Sequence, residues 1–140
     1  METNKIVIAS VIGLVVTFLL GFLSYGLLLS SFFESNTGSA TGLMKPDEEM
    51  SMIPMVLGHW ALGALLAIIL GRWANISTFS SGAMAGAVIG FLMSAGYGLI
   101  NFGSMNMFTL TGHIADIVVA TIVMAITGGA IGYYYGMQKK

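Results

Sequence analysis

Four long runs of apolar residues, joined by short polar stretches, make up most of the chain. They extend over about residues 6–32, 54–73, 80–102 and 111–136. A helix needs about 20 predominantly apolar residues to cross the hydrocarbon core of a bilayer, and each run meets that length. The pattern therefore predicts an all-α integral membrane protein, a single four-transmembrane-helix bundle over residues 1–140.

The longest polar stretch, residues 34–52, separates the first two runs. It contains glycine and proline and has the acidic run Asp47-Glu48-Glu49 near its end. Such a composition is typical of a loop, and it allows a short surface helix near the acidic run. The third run is preceded by polar residues, and Ser80 or Ser81 is the expected cap of its helix.

Composition favours the lipid bilayer over a soluble domain. Hydrophobic residues make up 56% of the chain and charged residues 8%, whereas soluble domains carry about 25% charged residues. The net charge of −1 leaves no basic stripe for phosphates, so nucleic acid is not an expected partner. The chain has no cysteine, which excludes disulfides and thiolate metal sites. The first run lacks a signal-peptide cleavage site, so we expect a retained helix.

Basic residues are distributed unevenly between the two sides that four crossings would create. With the N-terminus inside, Lys5, Arg72, Lys139 and Lys140 lie on the inner side, and Lys45 alone lies on the outer side. Short cytoplasmic segments carry an excess of Lys and Arg, so the topology is predicted to be N-in/C-in. The predicted location is therefore a cell membrane, with the long loop outside.

Small residues recur at every fourth position in three of the runs. In lipid, such stripes let helix backbones approach closely and supply van der Waals contact. They predict a tight bundle, and they also allow a homo-oligomer or a larger membrane complex. The stripes consist of Gly63, Ala67 and Gly71 in the second run, of Gly82, Gly86, Gly90, Ser94 and Gly98 in the third, and of Gly128, Gly132 and Gly136 in the fourth.

Asp116 is the only acidic residue inside a predicted span, and His113 lies three residues earlier on the same helical face. A charged residue at membrane depth costs about 2.5–3.5 kcal/mol on insertion scales, so it usually faces the bundle interior and marks a site. The topology places polar residues of the other three spans at a similar depth. We therefore predict an outer-leaflet pocket with these ligand-binding residues: Tyr25, His59, Tyr97, Asn101, His113 and Asp116.

Two other interpretations of this polar cluster are open from the sequence. The side chains could form a structural hydrogen-bond network in which Asp116 pairs with His59, Tyr97 or His113. Alternatively, His59 and His113 could hold a haem or a metal ion, although no spacing motif accompanies them. The metal is unknown and no cofactor is assigned. No catalytic motif is present, so the chain is not expected to be an enzyme.

The end of the first run reads Gly21-Phe22-Leu23-Ser24-Tyr25-Gly26-Leu27-Leu28. It resembles the G-x-x-W-Y-x-x-L motif of the "domain of unknown function 1761" family, with Ser24 at the position of the tryptophan. The opening of the fourth run, Gly112 to Asp116, is also similar. The family comprises small bacterial membrane proteins with four helices. The resemblance therefore implies this fold and topology, a bacterial inner membrane and Tyr25 as a site residue, and it implies no activity.

The sequence favours a non-enzymatic function. We expect a small membrane bundle that binds a ligand or a partner through the outer-leaflet pocket. A transporter of a small solute or ion, acting as a homo-oligomer, is the second hypothesis, although the inner half is rich in Gly, Ala, Val and Ile and suggests no polar path. The third hypothesis is a haem- or metal-binding membrane subunit that uses His59 and His113.

Overall fold

The computed structural model of the chain describes residues 2–43 and 45–139 and is all-helical. Within these ranges there are five α-helices, and two of them continue into π-helical segments. The α-helices are α1 (Thr3–Gly21), α2 (Ser30–Ser35), α3 (Met52–Ile68), α4 (Phe79–Ser104) and α5 (Leu110–Met137). The π-helical segments are Phe22–Leu28 and Ile69–Trp73, and a short 3-10 helix spans Asp47–Glu49.

Four helical segments of the described chain are long and apolar enough to span a membrane. The hydropathy pattern predicts four such helices, and in this respect the structure agrees with it. The chain is therefore consistent with a multi-pass membrane protein. The four candidate spans are Thr3–Leu28, Met52–Trp73, Phe79–Ser104 and Leu110–Met137.

The first apolar run is not one continuous helix. After α1 the backbone widens into the π-helical segment Phe22–Leu28, and the Leu29 N–H donates to the Ser24 carbonyl, five residues back. Leu29 then leaves the regular helical conformation, with φ −118° and ψ 10°, and α2 follows. Wider π-helical turns inside long helices are frequent at functional sites. This one carries Tyr25.

Threonine side chains cap the two last helices. Thr109 Oγ1 accepts a hydrogen bond from the Gly112 N–H at the start of α5, and Thr78 Oγ1 accepts one from the Ser81 N–H at the start of α4. The cap of α4 is therefore Thr78, not a following serine as expected from the sequence, because Thr78 is the last residue with an extended backbone. The cap of α5 places Asp116 in its second turn.

Helices α4 and α5 are antiparallel and contact each other along most of their length. Gly82 of α4 lies so close to Gly128 of α5 that a Cβ atom at either position would collide with the backbone of the other helix. Towards the other end, Gly98 of α4 lies near His113 of α5. Close backbone approach of this kind supplies van der Waals contact between the two helices.

Helices α1 and α3 form a second antiparallel pair, and α1 also packs against α5. Gly13 of α1 faces Gly63 of α3, where a Cβ atom at Gly63 would stand 2.6 Å from the Leu14 backbone nitrogen. A smaller contact joins α3 to α5, where the Tyr135 hydroxyl donates to the Ala67 carbonyl over 2.7 Å. Helix α1 is therefore in contact with both α3 and α5.

The well-packed core lies in one half of the bundle. We call the end with the chain termini and residues 74–78 the terminal end, and the opposite end, with residues 29–51 and 105–109, the loop end. Near the loop end, Phe33 is the one buried apolar side chain among the described residues. The core cluster towards the terminal end consists of Ile6, Ala9, Leu66, Ala67, Leu70, Met124, Ile131, Tyr134 and Tyr135.

Candidate functional site

A hydrogen bond between Tyr25 and Asp116 joins the first candidate span to the fourth near the loop end. The Tyr25 hydroxyl donates to Asp116 Oδ1 over 2.7 Å. Tyr25 is 37% exposed and Asp116 is half-buried. The second carboxylate oxygen of Asp116, Oδ2, accepts no hydrogen bond from the described residues. One oxygen of this carboxylate is therefore free to bind another group.

The π-helical segment Phe22–Leu28 carries Tyr25 towards α5. A π turn is wider than an α turn, so the side chains after Gly21 point in directions that a continued α-helix would not give. Within the segment, Ser24 is half-buried, and the exposed residues other than Tyr25 are apolar or glycine. The phenol of Tyr25 is consequently the polar group that this segment presents to Asp116.

Hydrogen bonds also tie α2, which follows Tyr25, to the start of α5. The Asn36 carbonyl accepts from the Thr109 N–H over 2.8 Å, and Asn36 Oδ1 accepts from the Thr109 hydroxyl over 3.2 Å. Just beyond, the Gly38 N–H donates to the Met107 carbonyl over 2.8 Å as part of a short antiparallel bridge. The stretch between Tyr25 and Asn36 is thus attached to α5 at both of its ends.

A row of aromatic rings lies between these two attachments. Phe33 is buried, and its ring centroid is 5.2 Å from that of Tyr25 and 5.7 Å from that of Phe108. The Phe108 ring in turn lies 5.7 Å from the ring of His113. Tilted and edge-on arrangements at these distances are favourable between aromatic rings. The row therefore supports the Tyr25 ring from behind and continues to His113.

The side chain of His113 is enclosed by aromatic rings. It is 5% exposed, and the rings of Phe102 and Phe108 each pack edge-on against it at 5.7 Å. Its Nε2 atom is buried and has no hydrogen-bond partner in the part of the chain that the structure describes. An unpaired buried polar group costs about 1–3 kcal/mol, which makes this the least satisfied side chain near the site.

His59 faces α1 and not the Tyr25–Asp116 pair. Its Nδ1 lies 2.7 Å from the Met55 carbonyl, and because a carbonyl can only accept, Nδ1 carries the hydrogen. The ring packs edge-on against Phe18, with Nε2 next to Gly21. Across residues 2–43 and 45–139, no hydrogen bond or ring contact joins His59 to Asp116. The expected pairing with Asp116 is not observed, because α1 packs between α3 and α5 and Asp116 bonds to α1's extension.

The two α4 residues predicted to line the pocket have different surroundings. Gly98 is buried against α5, and Tyr97, rotated by about 100° around the helix, points away from that contact and is 70% exposed. Asn101 is half-buried, and its side chain forms no hydrogen bond with the described residues. The six predicted residues therefore separate into the Tyr25–Asp116 pair, two histidines in separate environments, a half-buried Asn101 and an exposed Tyr97. Ligand binding by each of them stays a prediction.

Charge is separated between the two ends of the bundle. At the terminal end, Lys5 pairs with Glu2 over 3.6 Å, and Lys139 donates to the Asn75 carbonyl over 3.2 Å. Among the described residues Asp116 forms no ion pair. The loop end is predominantly acidic: outside the helical spans it carries Glu34, Asp47, Glu48, Glu49 and Lys45.

Sequence reasoning missed the residues that position the pair. Phe33 and Phe108 form the aromatic row, and Asn36 and Thr109 hold α2 against α5. Consecutive phenylalanines shortly after Tyr25, and a threonine three residues before a helical glycine, are visible in the sequence. However, such signals indicate local packing and helix capping, and they do not show that Asn36 and Thr109, in two different loops, contact each other.

The described residues contain no group of three or more His, Cys, Asp or Glu side chains that could hold a metal ion. Comparison of the chain with known protein families, with curated proteins and with solved structures finds no match. The function therefore has to be inferred from the geometry of the chain itself.

Proposed function

We propose that this chain is a non-enzymatic integral membrane protein that binds a small molecule at the Tyr25–Asp116 pair. The observation that carries the proposal is the 2.7 Å hydrogen bond from the Tyr25 hydroxyl to Asp116 Oδ1, which links two candidate spans. Ionisable residues within spans are rare and commonly mark substrate or ion pathways. Because Asp116 is only half-buried and its Oδ2 accepts no hydrogen bond from the described residues, the pair retains capacity for a further donor or cation.

In this proposal the four spans cross a bacterial inner membrane with both termini in the cytoplasm. The terminal end carries Lys5, Arg72 and Lys139, in agreement with the excess of basic residues on cytoplasmic segments. The loop end then faces outwards, and the Tyr25–Asp116 pair lies in the outer leaflet, within the first two turns of α5. The same fold and topology would follow from membership of the "domain of unknown function 1761" family.

A lipophilic carbodiimide tests whether the Asp116 carboxyl is an accessible site inside the membrane. The reagent partitions into lipid and forms a stable N-acylurea with carboxyl groups that it reaches. We expect dicyclohexylcarbodiimide to modify Asp116 in protein reconstituted in lipid nanodiscs, with peptide mass spectrometry as the measurement. A water-soluble carbodiimide should instead modify Glu34, which is exposed in α2. A folded protein whose Asp116 stays unmodified would contradict the proposed site.

A further inference from the structure

We infer that the ligand of the Tyr25–Asp116 pair is a lipophilic organic cation with a single positive charge. This inference rests on the proposed function and names the class of ligand for the same site. Three features of the structure lead to it: a carboxylate without a cationic partner, an aromatic ring beside that carboxylate, and an apolar surface around both.

The charge of Asp116 is not balanced by a basic side chain of the described chain. An acidic residue within a span normally pairs with another group of the protein, and here its one hydrogen-bond partner is the neutral phenol of Tyr25. Arg72 and Lys139 lie at the terminal end. Lys45 is near the loop end, but it lines a shallow cleft at the start of α3 with Pro54 and other residues. The balancing charge is therefore expected from a bound molecule.

A bare metal ion does not suit the groups that the pair offers. Zinc is usually held by four ligands and calcium by six to eight oxygen atoms. The pair supplies the oxygens of one carboxylate and one phenol, and the described residues provide no group of three or more side chains of the metal-binding types. A cation that needs few direct ligands, such as a quaternary ammonium or phosphonium ion, fits this set better.

The ring of Tyr25 adds a second attraction for such a cation. Organic cations bind over the faces of aromatic rings, within about 6 Å of the ring centroid. Tyr25 is partly exposed, and the buried ring of Phe33 packs behind it at 5.2 Å and keeps it in place. An organic cation at Oδ2 of Asp116 would consequently be able to contact both the carboxylate and the Tyr25 ring.

The surface around the pair favours a lipophilic ligand. In the π-helical segment, Phe22 and Leu28, three residues before and after Tyr25, are 58% and 68% exposed. A small, strongly hydrated cation would lose its water there without compensating hydrogen bonds, and that loss is costly. A bulky organic cation with delocalised charge is weakly hydrated and gains apolar contacts instead. The acidic Asp47–Glu49 helix at the loop end would further raise the local concentration of cations.

Binding of tetraphenylphosphonium to the full chain in lipid nanodiscs tests this inference. We expect saturable binding to wild type by isothermal titration calorimetry, and affinity reduced by about tenfold or more in Asp116→Asn. The matched control is Glu34→Gln, which removes the same charge from an exposed residue and should leave the affinity within about twofold. Tetraphenylborate, which has the same shape and the opposite charge, should not compete.

Two further variants separate a local effect on the site from a loss of folding. Asp116→Glu retains the charge and should recover part of the affinity that Asp116→Asn loses. Tyr25→Phe retains the ring and removes the hydroxyl, so it should weaken binding less than Asp116→Asn does. Equal affinity in wild type and Asp116→Asn, or an equal loss in Asp116→Asn and Glu34→Gln, would overturn the inference.

Carbodiimide labelling distinguishes failure of the ligand class from failure of the site. If tetraphenylphosphonium protects Asp116 from dicyclohexylcarbodiimide, both the site and the ligand class are supported. If Asp116 is labelled, but tetraphenylphosphonium neither binds nor protects it, the ligand class is wrong and the accessible site stands. If Asp116 is not labelled in the folded protein, the proposed function itself fails.

Discussion

Two tyrosines make interhelical hydrogen bonds of the same length at opposite ends of the bundle, in different surroundings. Tyr135 is fully buried and donates to the Ala67 carbonyl over 2.7 Å. Tyr25 is 37% exposed and donates to Asp116 over 2.7 Å. The Tyr135 bond satisfies a backbone group inside a sealed core, whereas the Tyr25 bond leaves one carboxylate oxygen free. Similar hydrogen-bond geometry therefore serves packing in the terminal half and, in our proposal, ligand binding near the loop end.

Glycine contacts between helices also differ between the two halves. At the terminal end, a Cβ atom at Gly71 would stand 2.6 Å from the Tyr135 hydroxyl oxygen, and one at Gly82 would collide with the backbone of α5. Near the loop end, a Cβ atom at Gly98, which also faces α5, would lie 3.5 Å from the Ile117 side chain, an ordinary contact. Backbones in direct contact leave no room for a ligand, so access is expected where the helices are less tightly packed.

The largest expected effect comes from adding one methyl group at the close contact between α4 and α5 near the terminal end. Gly82→Ala forces α4 away from α5, and we expect it to lower the free energy of unfolding by about 1–3 kcal/mol. Gly98→Ala, on the same helix and also facing α5, is the matched control and should cost much less, because its methyl group would make only an ordinary contact, 3.5 Å from the Ile117 side chain. Unfolding by increasing SDS in mixed micelles, followed by circular dichroism, measures both. Equal losses would refute the difference in packing between the halves.

Removing each tyrosine hydroxyl should show that the two hydrogen bonds contribute differently to the unfolding free energy. Hydrogen bonds between helices in membranes average about 0.6 kcal/mol and reach about 1.7 kcal/mol. We expect Tyr135→Phe to lower the unfolding free energy by about 1 kcal/mol, because Ala67 is fully buried and loses the hydroxyl that bonds its carbonyl. Tyr25→Phe should cost less than about half of that, because its bond is partly exposed. The same SDS titration applies, and a larger loss for Tyr25→Phe would contradict the assignment of roles.

The smallest expected effect is at His113. His113→Leu removes a buried nitrogen whose lack of a partner costs about 1–3 kcal/mol, and it forfeits ring contacts of about 0.5–1.5 kcal/mol with Phe102 and Phe108. These terms nearly cancel, so the unfolding free energy should change little in either direction. A clear loss of stability, measured in the same way, would mean that Nε2 has a partner in the membrane-embedded protein.

The number and approximate extent of the helices follow from the sequence, and the structure agrees in having four helices suited to span a membrane. The reason is physical: a bilayer requires about 20 apolar residues in each crossing, and that length is visible without any tertiary contact. The sequence also singles out Asp116, because it is an acidic residue inside an apolar run. The separation of basic and acidic residues between the two ends can likewise be predicted from where these residues lie along the chain.

Only the tertiary structure decides which polar side chains contact each other. The sequence placed Asp116 beside His59, Tyr97 or His113, and the structure pairs it with Tyr25. That outcome depends on the π-helical turn that redirects Tyr25, on the position of α1 between α3 and α5, and on the bonds that hold α2 against α5. Hydrophobic periodicity carries no information about these features, because the depth of a residue in a span does not determine the rotation of its helix about its own axis.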